Sequence, residues 1–246
     1  MPRRVDLNVK LKICVVLTAC LAFAAMIPGA FALELSLSGG YVKDHDTQGI
    51  QNKADELFER EKYKRAHLIY RNDLAPMGDK YAQYMVGFMS LNGLGVSEDP
   101  VLASAWFRLA AERGVAQFVK VRDDLIRRLD TVEMDRSDEI YLELRRQYSD
   151  IVVRMREVGV EYKSLQGGST GTRTGSSSSS LLIVRGEGTS TLETYHYPIL
   201  RRIQKHLDFI TRTLEIEPID ADVMTRRRLQ ELEAQVMDYV SRIDDR

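Results

Sequence analysis

The 246-residue chain has few cysteines, prolines and tryptophans and almost no net charge. Both cysteines, Cys14 and Cys20, lie in one N-terminal apolar run, so the rest of the chain has no thiol for a disulfide or a cysteine metal site. Its 35 basic and 36 acidic residues give a formal charge of -1, without the overall basic surface typical of nucleic-acid-binding proteins. With only six prolines and long stretches of alanine, leucine, glutamate and arginine, we expect an all-α protein that binds no nucleic acid.

Short motifs that mark catalytic and metal sites are scarce as well. The sequence contains no His-Glu-x-x-His or Ser-x-x-Lys, and its one Gly-x-Ser-x-Gly match, residues 167–171, lies in the glycine- and serine-rich stretch. The four histidines have no ligand-type residue at a recognised spacing; they are His45, His67, His196 and His206. We therefore expect a non-catalytic protein with no catalytic, cofactor-binding or metal-ligating residue. The alternative is a cell-wall hydrolase or a carbohydrate-binding accessory protein, which would need a cleft with a carboxylate of raised pKa.

Residues 1–32 have the layout of a secretory signal peptide. Four basic residues precede an uncharged run that starts at Ile13, and the run ends in the sequence Ala-Phe-Ala. We predict cleavage after Ala32 and export to the periplasm or cell envelope of a bacterium. Two alternatives are lipidation of Cys20, in the lipobox-like sequence LTAC, and retention of the uncharged run as a membrane anchor. After cleavage, residues 33–46 would form an N-terminal tail.

Apolar residues between Gln48 and Tyr70 recur every three or four positions, which predicts two amphipathic helices with a bend near Glu61. Pro-Met-Gly-Asp at 76–79 ends this segment, and a new helical pattern begins at Tyr81.

The stretch from 87 to 114 contains the strongest local signals in the chain. Gly93 predicts a helix stop in the left-handed backbone region. Asp99 followed by Pro100 predicts an N-cap and the first turn of the next helix. Alanines at helical spacing allow two helices to approach closely, while Trp106 and Phe107 fill the wedge between them. The pattern therefore predicts a helix hairpin.

This hairpin, YAQYMVGFMSLNGLGVSEDPVLASAWFRLAAERG, resembles a Sel-one-like repeat, a relative of the tetratricopeptide repeat. The structural positions of the repeat are Ala82, Gly87, Gly93, Gly95, Val96, Asp99, Ala103, Trp106, Ala110, Ala111 and Gly114. Residues 79–115 form this repeat, and residues 48–78 resemble a degenerate tetratricopeptide-type unit. The resemblance implies an α-helical module, here residues 47–130, that presents a groove to other proteins and has no catalytic residue.

One complete repeat and one degenerate repeat fall below the three or so units that usually bury their own faces. Residues 131–163 are predicted to form one long amphipathic helix that covers the open end. Its narrow apolar seam suits a coiled coil or docking along a neighbouring helix. The intervening sequences LRRQYSD and RMRE are interpreted as a solvated face.

The remainder divides into a linker and a helical end. Residues 164–195 are rich in glycine, serine and threonine and predict a flexible linker with a short apolar segment at 181–184. Residues 196–246 predict two helices with apolar stripes, either a helix hairpin or a pair that drives self-association. The expected partners are other proteins. A membrane is expected only if the N-terminal run is retained or Cys20 is lipidated.

Overall fold

The computed structural model describes residues 45–167, 182–185 and 188–242. The chain divides into two compact units, residues 1–49 and 50–246, and only the start of the first helix is described in the first unit. The predicted signal peptide with Cys20 and Ala32, most of the N-terminal tail and much of the predicted linker lie outside the described residues. Within the described ranges, no helix combines the length and the apolar character that a membrane span requires.

The fold is all-α, and a small β-hairpin precedes the last two helices. The helices are α1 (His45–Glu59), α2 (Tyr63–Ile69), α3 (Lys80–Leu91), α4 (Pro100–Ala110), α5 (Ala116–Ile126), α6 (Thr131–Tyr148), α7 (Asp150–Gly167), α8 (Leu192–Leu214) and α9 (Arg226–Val240). A π-helical turn (Tyr70–Leu74) and a 3-10 turn (Ala75–Met77) continue α2, and further 3-10 turns lie at Ala111–Arg113 and Ala221–Val223. Strands β1 (Leu182–Arg185) and β2 (Gly188–Thr191) pair antiparallel, with Leu182 opposite Thr191 and Arg185 opposite Gly188.

Local signals set the ends of the first helices. The bend after α1 falls at Glu61, which has a φ of 57°. Asp79 caps α3, since its carboxylate accepts a hydrogen bond of 3.0 Å from the backbone N–H of Ala82. Asp99 caps α4 by accepting a 2.9 Å bond from the N–H of Leu102. These caps satisfy N–H groups that have no partner inside the helix.

In chain order, helices α1 to α6 group into three consecutive pairs, α1 with α2, α3 with α4 and α5 with α6. Helix α3 packs along α4, and α6 packs along the next side of α4. The largest fully buried side chains of this part are Tyr70, Leu74, Met89, Trp106, Phe107 and Leu109. The third pair, α5 and α6, thus covers the face of α4 that a single hairpin would leave open.

Helices α7, α8 and α9 enclose a second hydrophobic core. Its members come from all three helices and from the connection between α8 and α9: Ile151, Met155, Val158, Ile199, Ile203, Leu207, Ile210, Ile219, Ala221, Met224, Leu229, Leu232, Val236 and Val240. Gln204 holds the connection in place, because its side chain donates to the carbonyl of Ile219 and accepts from the N–H of Ala221. The apolar stripes that suggested self-association are therefore buried within the chain.

The predicted single helix over 131–163 is two helices, α6 and α7. Ser149 separates them in an extended conformation, with φ of -63° and ψ of 153°. The prediction that LRRQYSD is a solvated face is wrong for its end, because Ser149 and Asp150 are buried. Arg145 is also buried, with its guanidinium over the ring of Tyr239 on α9. Tertiary contacts, described below, cause the break.

Candidate interaction surface of the helical repeat array

The hairpin of α3 and α4 is held together by close packing at Gly87. A Cβ atom at this position would lie 2.8 Å from Cδ1 of Phe107, so no other residue fits without a shift. Trp106 is only 1% exposed, and its ring lies 5.4 Å from the ring of Tyr148 at the end of α6. The tryptophan therefore belongs to the core between the second and third helix pairs.

The loop between α3 and α4 rests on the preceding helix pair. Gly93 and Gly95 have φ of 65° and 75°, in the left-handed region that favours glycine. The N–H of Leu94 donates to the carbonyl of Met89 over 2.9 Å, which closes the end of α3. A Cβ atom on Gly95 would lie 2.5 Å from the carbonyl carbon of Tyr63, at the start of α2. Glycine at position 95 therefore allows both the left-handed turn and the close contact of the loop with α2.

Other motif positions have packing or chain-ending roles. Gly114 has a φ of 69° and ends the 3-10 turn after α4. Val96 is half-buried in the loop. The alanines of the motif are buried in the core; they are Ala82, Ala103, Ala110 and Ala111. The structure therefore places the motif residues in the interior and in turns, and the surface available to a partner must come from other residues.

A row of aromatic rings crosses the first helices of the three pairs. Phe58 of α1 lies 6.3 Å from Phe88 of α3, which stacks on Tyr84 of the same helix. Tyr84 in turn stacks on Phe118 of α5 at 5.1 Å. We call these four residues the aromatic row. Phe58 and Phe88 are half-buried, so the row has both a packed part and a part open to a partner.

The phenols near the row act as neutral groups. Burial raises the pKa of Tyr84 to about 12, so the ring stacks as an uncharged aromatic group. Burial also raises the pKa of Tyr70, whose hydroxyl donates a 2.5 Å hydrogen bond to the carboxylate of Asp55 on α1. This bond ties the first helix of the array to the segment after α2.

A buried ionic cluster joins the hairpin to α7. Lys80 Nζ lies 2.6 Å from Glu112 Oε2 and 3.3 Å from Asp150 Oδ1. Arg113 holds both carboxylate oxygens of Asp150, at 2.6 Å and 2.8 Å, and also donates to the carbonyl of Gly78. Because Asp150 is the first residue of α7, the cluster fixes the direction in which α7 leaves the array.

The cluster keeps the Asp150 carboxylate ionised. Burial alone would raise the pKa of Asp150, but hydrogen bonds from Arg113 and the charge of Lys80 outweigh burial, and the pKa lies below its ordinary value. The neighbouring Gln83 is fully buried and donates to the carbonyls of Ala75 and Tyr148. Together these bonds connect the first pair, the hairpin and the end of α6.

Residues 80–115 match the family model for the Sel1 repeat. This chain carries a Sel1 repeat. The match spans α3, the loop with Gly93 and Gly95, α4 and the 3-10 turn that ends at Gly114. Sel1 repeats are generally non-catalytic scaffolds that mediate protein–protein interaction. Neither a curated protein nor a solved structure matches the chain.

His67 on α2 is buried, and His206 on α8 is half-buried. Burial lowers the pKa of both His67 and His206, which favours their neutral forms at neutral pH. In the described part of the chain, no three histidine, cysteine or acidic side chains lie close enough together to hold a metal ion. His45 is the first described residue, at the start of α1.

Sequence reasoning missed both the aromatic row and the ionic cluster. Phe88 and Phe118 are single aromatic residues in helical patterns, and nothing local shows that their rings stack through Tyr84. Asp150 had one signal: a serine followed by an acidic residue is a common helix start. That signal would have predicted the break between α6 and α7, although not the partners of the carboxylate.

Proposed function

We propose that this protein is an exported, non-catalytic adaptor of the bacterial cell envelope, and that its repeat array binds a segment of another protein along the aromatic row. The single observation that supports binding at this place is the row itself. It crosses α1, α3 and α5, and two of its rings, Phe58 and Phe88, are half-buried. Partly exposed aromatic rings are enriched at protein interfaces, where they contribute large contact areas.

The array is suited to this role because its frame is held rigidly. The loop at Gly95 sits on α2, and the Asp150 cluster joins the hairpin to α7. A rigid surface loses little conformational entropy when a partner binds. We therefore expect a partner segment with apolar side chains that lie against Phe58 and Phe88.

A photocrosslinking residue at position 88, such as p-benzoylphenylalanine, tests the binding site in intact cells. The matched control places the same residue at Tyr197, an aromatic position on α8 that is 67% exposed. We expect a specific crosslinked protein from position 88, reduced by Phe58→Ala in the same chain and absent from position 197. Equal crosslinking from both positions, or none from position 88, would contradict the proposed site.

Export is tested separately, by cell fractionation and N-terminal sequencing. The layout of residues 1–32 supports a mature chain that begins at Leu33 in the periplasm or envelope fraction. A chain that begins at a lipidated Cys20, or that retains Met1 in the membrane, would replace cleavage after Ala32 by one of the two alternatives. Recovery of the whole population from the cytoplasm would refute export.

A further inference from the structure

The exposed side of α2 presents a basic surface with an aliphatic residue at its centre. Lys64, Leu68 and Arg71 follow one another at spacings of four and three residues, with Arg65 beside them. Leu68 is 48% exposed, and the three cations make no ion pair within the described part of the chain. We call these four residues the basic face. It belongs to the first helix pair of the array.

The exposed side of α6, in the third pair, presents the opposite charge. Asp135, Glu139 and Glu143 lie in one row at spacings of four residues, and Val132 precedes them at 76% exposure. We call these four residues the acidic face. None of its three carboxylates has an ion-pair partner in the described residues. Two exposed basic residues lie beside the row: Arg136, three residues before Glu139, and Arg146, three residues after Glu143.

Each face is unfavourable by itself. Like charges four residues apart on a helix repel one another, and Arg136 and Arg146 offset only part of the repulsion in the row on α6. Leu68 and Val132 also expose aliphatic surface that burial would stabilise. Contact with a surface of opposite charge that also carries an exposed aliphatic residue would remove both penalties.

The two faces are of similar length and opposite charge. The basic face spans eight residues, from Lys64 in α2 to Arg71 in the π-helical turn that continues it, and the carboxylates of the acidic face span nine residues of α6, about 12 Å at a rise of about 1.5 Å per residue. Each face also carries a single exposed aliphatic residue. Within one chain the two faces stay exposed, and no ion pair between them is found among the described residues.

We propose that two copies of this chain associate through these surfaces, with the basic face of one copy on the acidic face of the other. The occupant is a second copy because the chain itself carries two exposed faces of opposite charge, neither of which is paired within the described part of the chain. The two faces share no residue with the aromatic row, although Phe58 of the row packs on Tyr63, the neighbour of Lys64. The inference does not depend on export or on the proposed partner.

Charge reversal of each face tests the association. One variant carries Lys64→Glu, Arg65→Glu and Arg71→Glu, and the other carries Asp135→Lys, Glu139→Lys and Glu143→Lys. The matched control reverses three exposed cations of α8 that have no ion pair in the described residues, with Arg201→Glu, Lys205→Glu and Arg212→Glu. Sedimentation velocity over a concentration series measures the apparent association constant, and circular dichroism with thermal melting checks that each variant is folded.

We expect the unchanged chain and the α8 control to associate, and each face variant to be monomeric. Mixing the two face variants should restore association, because the mixture again contains one native basic face and one native acidic face. A chain that carries both sets of reversals should also self-associate. Raising the salt concentration from about 0.05 M to about 0.5 M should lower the association constant by about tenfold or more, since exposed charges are screened.

Three results would overturn the proposal. The first is an unchanged chain that stays monomeric up to about 1 mM, the range of very weak complexes. The second is association that persists in either single-face variant or that the α8 control also removes. The third is a monomeric chain whose basic face binds an acidic protein instead, which would assign the face to a different partner.

Discussion

Replacement of Gly95 by alanine tests how the Sel1 loop meets the preceding helix pair. A Cβ atom there would lie 2.5 Å from the carbonyl carbon of Tyr63 and 2.7 Å from Cα of Lys64. Both are backbone atoms that cannot rotate away, so α2 or the loop must move. Gly93 and Gly114 are matched controls, because they share the positive φ but have ordinary or open space around an added Cβ.

The expected magnitudes follow from two separate effects. A positive φ costs an L-residue about 1–2 kcal/mol, and this cost applies to all three glycines. Overpacking against fixed atoms adds about 1–3 kcal/mol, and this cost applies to Gly95 alone. We therefore expect Gly93→Ala and Gly114→Ala each to lower the free energy of unfolding by about 1–2 kcal/mol, and Gly95→Ala to lower it by about 2–5 kcal/mol.

Urea unfolding with linear extrapolation measures these differences. The only tryptophan, Trp106, is buried inside the array and reports on its unfolding by fluorescence. The slope of the free energy with urea should stay unchanged if the variants unfold from the same folded state. Equal losses for the three variants would show that the loop does not rest on α2 as described, and a larger loss at Gly114 than at Gly95 would refute the steric argument.

Three further predictions concern packing, charge and capping. Trp106→Ala should lower the free energy of unfolding by about 3–5 kcal/mol because it removes a buried ring, and calorimetry can measure the loss; an unchanged melting temperature would mean that the indole is solvated. Asp150→Asn should lower the free energy of unfolding by about 3–5 kcal/mol, since it leaves the buried Lys80 and the half-buried Arg113 with a weakened partner. Because the pKa of Asp150 is lowered on folding, its contribution is present above the unfolded value of about 3.9 and is lost as pH falls through the folded value. When the free energy of unfolding is measured across this pH range, it should fall more steeply with decreasing pH in the unchanged chain than in Asp150→Asn. Parallel curves would contradict this. Thr225→Ala should cost about 1 kcal/mol because the hydroxyl caps α9 by accepting from the N–H of Arg228, and a loss near zero in urea unfolding would show that the cap contributes nothing.

The Sel1 hairpin could be predicted because its signals are local. A glycine stop at Gly93 and the Asp99-Pro100 start act within one or two turns of backbone, so the residues alone determine where α3 ends and α4 begins. The bend at Glu61 follows equally from the spacing of neighbouring apolar residues. Coverage of the open end was also predictable, because one hairpin and one degenerate unit expose a face that something must bury.

The break between α6 and α7 could not be located in this way, because its cause is distant in sequence. The periodic seam continues through the break, and periodicity shows which residues are apolar but not where the helix axis turns. The helix axis turns at Asp150, whose carboxylate forms ion pairs with Arg113, in the turn after α4, and with Lys80, at the start of α3. A buried carboxylate with two cations is favourable only in that one geometry, so the contact fixes the break.

The N-cap of α9, in the second core, also could not be located from the sequence alone. Asp220 is a good capping residue, but it caps the short turn at Ala221–Val223 through the N–H of Asp222. Thr225 caps the helix itself. Gln204 on α8 donates to the carbonyl of Ile219 and accepts from the N–H of Ala221, so the backbone on both sides of Asp220 is held in the connection before α9.

The way in which the array is closed explains how a single Sel1 repeat can be stable in this chain. Helix α6 buries the outer face of α4 through Tyr148 against Trp106 and through Ser137, whose hydroxyl lies 2.5 Å from that of Ser104. On another side of α6, the guanidinium of Arg145 packs over the ring of Tyr239 on α9. Helix α6 is therefore shared between the array and the second core, so no further repeat can stack on α4. At this end of the array a partner can bind the exposed surfaces but cannot extend the stack of helices.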